Sequence, residues 1–362
     1  MHVASVELSD FRNYRNASVA LSATLNLLAG DNGQGKSNFL EALGLLSVGK
    51  SIRGAMDAEM VRWEADEGRL ACVIADGTAS RLEMRLRPGE RKEVRIDGAP
   101  AETLADIVGI LRTVHVTPDV IDDQFRSPSG RRRMLDILIS QIDRNYLRAL
   151  KRHRAVVAQM NALWKRADPS PAELEVWERH LATVAVDIVR RRQEVIERLR
   201  QAADQHFGAL FDAGRLDMRL RPTLPVDDSP DAVERAARAL AQARPQAERA
   251  GCVTRGAHRD QIDVLIDDRP FEEHASQGQV KGAYFAWKLA EGDVIEQTAE
   301  VRPLWLVDDP FSEMDRTRAF RLLDAFRARG QVIVTTARDG DLGLEGSGFA
   351  RCMVDHGRIT PI

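Results

Sequence analysis

One glycine-rich segment near the amino terminus contains the residues most suited to chemistry. Residues 30–37 read GDNGQGKS and match the pattern G-x-x-x-x-G-K-[ST] at every fixed position. Glycines in such a segment let backbone N–H groups approach phosphate oxygens, and the positive end of a following helix adds to the attraction. The segment therefore predicts a phosphate-binding loop for ATP with Mg²⁺. Its predicted nucleotide contacts are Gly30, Asp31, Asn32, Gly33, Gln34, Gly35, Lys36, Ser37 and Asn38.

Two side chains of this loop have predicted roles of their own. Lys36 is expected to be catalytic by neutralising the β and γ phosphate charges, and the Ser37 hydroxyl is expected to reach Mg²⁺. A chance glycine turn is the alternative interpretation. The surrounding pattern argues against it, because residues 24–29 read as a strand and the apolar residues of 37–46 recur at helical spacing.

Paired carboxylates end a predicted strand in the carboxy-terminal part of the chain. Residues 303–309 read PLWLVDD, which is the pattern of a Walker B segment. We predict that Asp308 holds Mg²⁺, directly or through water, and that Asp309 is catalytic by orienting or deprotonating the attacking water. A strand that ends in an aspartate-rich turn is the alternative, and it is disfavoured beside a phosphate-binding loop.

A short polar segment precedes a predicted helix. Residues 274–281 read HASQGQVK and are followed by helical residues 283–291. This segment resembles the signature of ABC ATPases, in which a serine and a glycine at a helix N-terminus contact the γ-phosphate bound to the other subunit. The resemblance implies nucleotide contacts by Ser276, Gly278 and Gln279. A helix-capping serine would be the better interpretation if the segment stood alone.

Three further segments are compared with the same ATPases. Residues 312–315 are similar to the D-loop that communicates across an ABC dimer. The last predicted core strand ends where many ABC proteins carry a switch histidine, and here the position is Thr335 or Thr336. A hydroxyl there could still sense the γ-phosphate by hydrogen bonding. No Q-loop glutamine follows residues 114–116, and Gln124 is a poor substitute.

The composition indicates which classes of protein the chain can belong to. The chain has 362 residues, 44% hydrophobic and 30% charged, which supports ordinary folded cores. No apolar run reaches about 18 residues and the start lacks a basic region followed by an apolar one, so we expect neither a membrane span nor export. Cys72, Cys252 and Cys352 form no paired spacing, which favours a reducing cytosol. The net charge of -3 argues against a chromatin-coating protein.

Hydrophobic spacing predicts the secondary structure around these motifs. Residues 3–8 alternate like an edge strand. Two charged segments, 129–166 and 171–211, are predicted to be helices of about 35 residues, which at 1.5 Å per residue make an arm roughly 50 Å long. The coiled-coil seam is predicted at Leu174, Trp177, Leu181, Val184 and Ile188. The remaining short elements are strands at 70–74, 82–86, 93–96 and 216–220 and a helix at 232–243.

These elements predict an α/β fold with an inserted helical part. We expect an ATPase head built from residues 1–117, which contain the phosphate-binding loop, and residues 251–362, which contain the signature and the Walker B strand. Residues 118–250 are expected to form a helical lobe, a short antiparallel coiled coil, between the two halves of the head.

With these motifs placed, the chain resembles the RecF family of bacterial recombinational DNA repair proteins along its whole length. The resemblance rests on an ordered series of segments, which are residues 9–15 (SDFRNYR), 30–38, 127–136 (SPSGRRRMLD), 256–260 (GAHRD), 276–279 and 306–315 (LVDDPFSEMD). It implies a head of the ABC and SMC type, with an arm shorter than the coiled coils of SMC proteins.

The resemblance also implies a function and partners. A member of the family would form an ATP-dependent homodimer around single- or double-stranded DNA, away from any membrane, and slow ATP hydrolysis would release the dimer. It would act with RecR and RecO to load RecA onto single-stranded gaps and so contribute to the SOS response. Two alternatives stay open, which are a nucleotide-gated scaffold without useful turnover and the ATPase subunit of a membrane transporter.

Charged runs outside these motifs have competing interpretations. For the arginines at 131–133, phosphate binding and a solvated helix face are equally plausible. For those at 190–192 a solvated face is favoured. Residues 258–260 (HRD) fit either a place near the nucleotide or dimer contact, or a structural charge network.

Overall fold

Most of the predicted strands and helices are present in the computed structural model. It describes residues 1–362 apart from 77, 79, 119–120, 167–168, 212–213, 311–315 and 338–348, and apart from the side chain of residue 316. Across that described part, no helix combines the length and the apolar character that crossing a membrane requires.

The elements are numbered in chain order. The strands are β1 His2–Phe11, β2 Tyr14–Ala20, β3 Leu25–Ala29, β4 Gly68–Ala75, β5 Arg81–Leu86, β6 Glu93–Ile96, β7 Ala99–Pro100, β8 Thr113–Val116, β9 Leu216–Arg221, β10 Gln261–Ile266, β11 Arg269–Pro270, β12 Leu304–Val307, β13 Val332–Thr336, β14 Phe349–Asp355 and β15 Arg358–Pro361. The α-helices are α1 Lys36–Val48, α2 Asp57–Met60, α3 Pro128–Ile142, α4 Arg144–Trp164, α5 Pro171–Phe211, α6 Ala232–Gln242, α7 Arg244–Ala250, α8 Phe271–His274, α9 Gln277–Ala299 and α10 Arg316–Arg327.

The central sheet has the strand order β15-β14-β3-β13-β12-β8, and all its strands except β15 run parallel. Every residue of β3 is buried, because Leu25 and Leu27 contribute to one apolar core and Leu28 contributes to the other. The predictions of a strand at 24–29 and a helix at 37–46 are confirmed by β3 and α1. Since β3, β13 and β12 lie side by side, the residues that follow them meet at one edge of the sheet.

A second sheet is antiparallel and has the order β2-β1-β4-β5-β6-β7. It confirms the short strands that were predicted before residue 100. The prediction that residues 3–8 form an edge strand is wrong, because β1 pairs with β2 on one side and with β4 on the other. Its alternation arises from a face that packs on the core, where Val3, Val6 and Leu8 are buried. A register shift between Val3 and Ser5 accounts for the change from odd to even positions.

The helical segment 129–166 consists of two helices, so the prediction of one continuous helix is wrong. α3 ends at Ile142 and α4 begins at Arg144. Between them Asp143 is extended, and its side chain accepts hydrogen bonds from the N–H groups of Asn145 and Tyr146. An aspartate at an N-cap satisfies donors at the start of a helix, so Asp143 ends one helix and starts the next.

α5 confirms the prediction of a helix at 171–211, and its 41 residues span about 60 Å. The predicted arm of two equal helices is nevertheless wrong. α4 has 21 residues, and α5 packs against α6, α9 and β9 as well as against α4. Near the end of α5, Phe207 lies against Gly282 of α9. The long helix is therefore part of the body of the protein over much of its length.

The predicted strand at 216–220 is confirmed by β9, and the predicted helix at 232–243 is confirmed by α6.

A buried charge network joins α3, α4 and α5 to the segment before β10. Arg192 of α5 is 2% exposed, and it pairs with Asp136 at 2.9 Å and with Asp260 at 2.8 Å. The Tyr146 hydroxyl accepts a hydrogen bond from Arg192 Nε at 3.0 Å and donates to Asp136 at 2.5 Å. The prediction of a solvated helix face is therefore wrong for Arg192. For residues 258–260, the interpretation as a structural charge network is the one that applies to Asp260.

The arginine run at 131–133 is also partly built into the fold. Arg131 is buried and pairs with Glu272 at 2.8 Å, so neither open interpretation of the run applies to it. Arg133 is exposed and donates to the Ser51 carbonyl at 3.0 Å.

Three histidines that are largely removed from water contribute a pH dependence to the stability of this fold. Burial lowers the pKa of His115 and His153 to about 3 and that of His258 to about 4, from an ordinary 6.5. Below pH 6.5 the unfolded chain binds protons at these sites and the folded chain does not. The contribution of these histidines to stability is therefore fully present above pH 6.5 and is lost as the pH falls towards 4 and 3, by about 1.4 kcal/mol per pH unit for each histidine.

We expect His115→Asn to remove one of these contributions. In urea unfolding at pH 7.5, 6 and 5, the loss of stability between pH 6 and pH 5 should be smaller than in wild type by about 1 kcal/mol, with little difference between the two proteins at pH 7.5. The exposed His180 gives the matched control, and His180→Asn should keep the wild-type slope. Equal slopes for His115→Asn and wild type would contradict the account.

Candidate nucleotide-binding site

The loop between β3 and α1 has a backbone that two glycines make possible. Gly30 has a φ of 148°, and a Cβ there would lie 2.3 Å from the Val354 carbonyl oxygen. Gly35 has a φ of 118°, and a Cβ there would lie 2.6 Å from the Asn13 side chain. Both positions therefore exclude larger residues. Gly35 also gives α1 no side-chain cap, so the first N–H groups of the helix have no acceptor from the cap position.

The turn between β1 and β2 holds this loop from one side. Asn13 Nδ2 donates to the Gln34 carbonyl at 2.7 Å, and the Tyr14 hydroxyl donates to the Gly35 carbonyl at 2.8 Å. Asn38 of α1 donates to Asn13 Oδ1 at 3.0 Å. Burial raises the pKa of Tyr14, so its hydroxyl keeps the proton that it donates. Sequence reasoning placed Asn13 and Tyr14 in a family-like segment without a role, and no local pattern signals their contact with the loop.

The hairpin between β14 and β15 holds the loop from the other side. The Gln34 side chain accepts a hydrogen bond from the His356 N–H at 2.7 Å, and the Gln34 carbonyl accepts one from the Gly357 N–H at 3.1 Å. Gln34 and His356 lie 322 positions apart, so sequence reasoning could not pair them. Gln34, a predicted nucleotide contact, is thus engaged in supporting the loop, whereas Asp31, Asn32 and Gly33 are exposed.

Lys36 is held by its own loop. Its Nζ donates to the Gly30 carbonyl at 2.5 Å and to the Asp31 carbonyl at 2.8 Å. Burial lowers the pKa of Lys36, and the carboxylates of Asp309, Asp308 and Asp31 oppose this effect. The predicted loop lysine and the two predicted Walker B carboxylates therefore lie in one electrostatic environment.

Residues at the carboxyl ends of three parallel strands meet at a single carboxylate. The Ser37 hydroxyl donates to Asp308 Oδ1 at 2.9 Å, and the Thr335 hydroxyl donates to the same oxygen at 2.7 Å. Thr335 also accepts a hydrogen bond from the Asp309 N–H at 2.9 Å. Thr335, one of the two threonines proposed for the switch position, is therefore bonded to both members of the acidic pair. The structure brings together Ser37 and Asp308, which were both predicted as Mg²⁺ ligands.

The signature segment caps α9. The Ser276 hydroxyl accepts a hydrogen bond from the Gln279 N–H at 3.3 Å, and the Gln279 side chain accepts one from the Ser276 N–H at 2.9 Å. These reciprocal bonds form a capping box. A Cβ on Gly278 would meet nothing closer than the Ser276 hydroxyl at 4.0 Å, so packing within the chain does not require a glycine there. Ser276 and Gly278 are exposed.

Two other comparisons with ABC ATPases have different outcomes. Instead of a Q-loop glutamine, the residue after β8 is Thr117, whose N–H donates to the Tyr284 hydroxyl at 3.0 Å. This bond ties the end of β8 to α9. The D-loop proposed at 312–315 lies outside the described residues.

Among the described residues, no group of three or more histidine, cysteine, aspartate or glutamate side chains could hold a metal ion, so the predicted Mg²⁺ site relies on a hydroxyl and a carboxylate.

Comparison with known proteins shows the family of the chain. The sequence matches the family model of the RecF/RecN/SMC N terminal domain over residues 2–347. The DNA replication and repair protein RecF of Gloeobacter violaceus is 35% identical over 345 residues, covering 93% of this chain and 92% of that protein. The chain belongs to the RecF family. The DNA replication and repair protein RecF of Nostoc punctiforme is 33% identical over 372 residues, covering 100% of both chains.

Solved structures share the fold of this RecF family member. The recombination mediator protein RecF-ATPrS in the RecFOR pathway is 24% identical with a TM-score of 0.91, covering 100% of this chain and 98% of that one. The SmcHead bound to the C-winged helix domain of ScpA is 16% identical with a TM-score of 0.57 and covers 100% and 98%. The predicted fold class, an α/β head of the ABC and SMC type with an inserted helical lobe, is confirmed.

The Thr335 hydroxyl should stabilise this edge of the sheet. Thr335→Val keeps the shape of the buried side chain and removes the acceptor of the Asp309 N–H. We expect the free energy of unfolding, measured by urea denaturation, to fall by about 1–3 kcal/mol. Thr335→Ser keeps the hydroxyl and should lose less of this energy. If the valine variant unfolds like wild type while the serine variant does not, the hydroxyl has no such role.

Proposed function

We propose that the chain is an ATP-gated dimeric DNA clamp that acts in recombinational repair of single-strand gaps. The observation that carries the proposal is the contact of Ser37 and Thr335 with Asp308 at one edge of the central sheet. It joins the hydroxyl of a phosphate-binding loop to the carboxylate of a Walker B strand, the pair that recognises ATP with Mg²⁺. The RecF relatives are DNA replication and repair proteins, which supports a role in repair.

In this proposal residues 30–38 bind ATP. The backbone N–H groups at the start of α1 receive the phosphates, and Lys36 exchanges its loop carbonyls for β and γ phosphate oxygens. Ser37 and Asp308 hold Mg²⁺, directly or through water. A solved relative is described as RecF-ATP, which supports ATP as the nucleotide.

Asp309 is proposed to orient or deprotonate the attacking water, which makes the chain a slow ATPase. Its φ of 41° is a left-handed conformation that residues other than glycine rarely adopt. Such strain persists where neighbouring contacts fix it, as the Thr335 hydroxyl does here at the Asp309 N–H. The constrained backbone supports a functional position.

The signature is proposed to complete the site of a second copy. Ser276, Gly278 and Gln279 would contact the γ-phosphate bound by the partner, so that ATP holds two protomers together. The exposure of Ser276 and Gly278 supports this, as does a glycine that packing within the chain does not need.

Residues 1–117 and 251–362 are proposed as the ATPase head and residues 118–250 as the inserted lobe. The central sheet supports this division, because it combines β3 and β8 with β12 to β15. The dimer is proposed to enclose single- or double-stranded DNA in the cytoplasm and to recruit RecR with RecO for loading of RecA, which would also contribute to the SOS response. A neighbour described as a mediator in the RecFOR pathway supports these partners.

A nucleotide-gated scaffold without useful turnover is the second candidate. The observation that favours it is the missing Q-loop glutamine, whose place after β8 is taken by Thr117 and its bond to Tyr284. In this case ATP binding alone would control the contacts with DNA and partner proteins. The third alternative, an ATPase subunit of a membrane transporter, has no observation in its favour beyond the shared ABC motifs.

Lys36→Met should separate nucleotide-driven DNA binding from other DNA contacts. We expect ATP to strengthen binding of fluorescently labelled DNA by the wild type, and the variant to lose that increment because it lacks the loop ammonium. Fluorescence anisotropy with ATP, with ADP and without nucleotide measures it. Lys165→Met, at an exposed lysine beyond α4, is the control and should behave as wild type. DNA binding that ignores both nucleotide and Lys36 would rule out the clamp.

Asp309→Asn should separate the ATPase from the scaffold. We expect ATP turnover to fall by about 10²- to 10⁴-fold, since the amide cannot accept a proton, while ATP-driven dimerisation in gel filtration persists. Asp324→Asn, at an exposed aspartate of α10, is the control and should leave turnover unchanged. If the wild type has no turnover above background and still dimerises with ATP, the scaffold is correct.

A further inference from the structure

A cavity of about 860 Å³ lies away from the phosphate-binding loop, at the opposite end of α1. One wall is the segment that follows α1, from Gly49 to Ala55, and the other is the first half of α4. The start of α3 contributes the Arg133 side chain between them. The volume is in the range of sites that hold an extended ligand, and it exceeds the space that a single small ion needs.

Among the charged side chains that line this cavity, lysines and arginines outnumber carboxylates. Lys50, Lys92, Arg133, Lys151 and Arg154 all contribute to it. Of these, Lys92 has fixed partners, because its Nζ pairs with Asp57 at 2.8 Å and donates to the Gly49 carbonyl at 2.9 Å. Lys92 therefore serves the fold by capping the end of α1.

Three of the cations have no such partner. Within the described ranges, the side chains of Lys50, Lys151 and Arg154 form neither an ion pair nor a hydrogen bond. Asp136, a carboxylate of the same lining, is already bonded to Arg192 and cannot neutralise them. The three charges stand on both walls, Lys50 on the segment after α1 and the other two on α4.

The cations act on one another. Burial lowers the pKa of Lys50, and the positive charges of Arg154, Lys92, Arg133 and Lys151 lower it further. Repulsion of this kind is relieved when an anion enters. Arg133 is held in place by its bond to the Ser51 carbonyl, so part of the positive lining is fixed before any ligand arrives.

The charge of α4 extends this surface. The helix carries Arg144, Arg148, Lys151, Arg152 and Arg154 and no acidic residue, in a chain whose net charge is -3. Lysine and arginine side chains without carboxylate partners are the groups that neutralise phosphates of a nucleic-acid backbone. The free cations at this cavity therefore form a local concentration of positive charge in a protein of net negative charge.

We propose that this cavity binds consecutive phosphodiester groups of a DNA backbone, with Lys50 contacting them from one wall and Lys151 and Arg154 from the other. The inference rests on the proposed DNA-binding function and names the place of contact, which that function leaves open. Contacts to phosphates position a strand and do not read its sequence, so this site binds DNA of any sequence.

The test compares two double variants that remove the same charge. Lys151→Gln with Arg154→Gln removes cations from the cavity, and Lys165→Gln with Arg179→Gln removes exposed cations outside both the cavity and α4. Binding of a labelled 30-base-pair duplex is measured by anisotropy with ATP, from 50 to 200 mM salt. Each phosphate contact contributes about 0.9 to the slope of log affinity against log salt. Over this range the wild type should therefore lose roughly 12-fold more affinity than the cavity variant.

The outcomes separate the site from the function. A reduced slope for the cavity variant and a wild-type slope for the control support the site. If the two double variants behave alike, the cavity is not the contact, while the DNA-binding function stands. If the wild type itself does not bind DNA with ATP, the proposed function fails. In a parallel arm, tripolyphosphate is added in thermal unfolding. Stabilisation that the cavity variant loses, together with unchanged DNA binding, would assign the cavity to free polyphosphate and overturn the proposal.

Discussion

The carboxylate of Asp308 is the point on which the candidate site depends. It accepts hydrogen bonds from Ser37 and Thr335, which follow or end strands far apart in the sequence. These bonds require β3, β13 and β12 to be parallel neighbours in one register, as they are. The chain must therefore leave the sheet after its amino-terminal part and return to it, and the intervening helices have to pack without disturbing that edge.

The phosphate-binding loop gains its shape from outside as well as from its glycines. Asn13 and Tyr14 bond its backbone from one side, and the hairpin at His356 bonds it from the other. A glycine-rich loop alone has many conformations, and fixing one of them costs about 1–2 kcal/mol per residue. Both sets of hydrogen bonds come from segments near the ends of the chain. The loop can therefore take this conformation only when those two segments have folded together.

The sequence predicted correctly those features that depend on interactions between residues close together in the chain. The loop between β3 and α1, the acidic pair after β12 and the helix α5 follow from spacing and residue type within a few positions. The errors arose where distant contacts decide. Arg192 looks like part of a solvated arginine run, but Asp136 and Asp260 surround it from other elements. Asp143 looks like one more charged residue in a helix, and only its bonds to the next turn reveal a cap. Partners that lie hundreds of positions away leave no periodic signal.

The helix α1 connects the phosphate-binding loop to the cavity that is proposed to bind DNA. It has 13 mostly buried residues, so its ends are about 20 Å apart. The phosphate-binding loop stands at one end and Lys50 at the other. In the middle of the helix, the Glu41 carboxylate accepts hydrogen bonds from Arg12, which precedes the loop-binding Asn13, and from Ser51 of the cavity wall. The loop and the cavity wall are thus joined by one helix and by the hydrogen bonds of Glu41. A nucleotide bound at the loop would therefore lie about 20 Å from a polyanion bound at Lys50, and this one helix sets that distance.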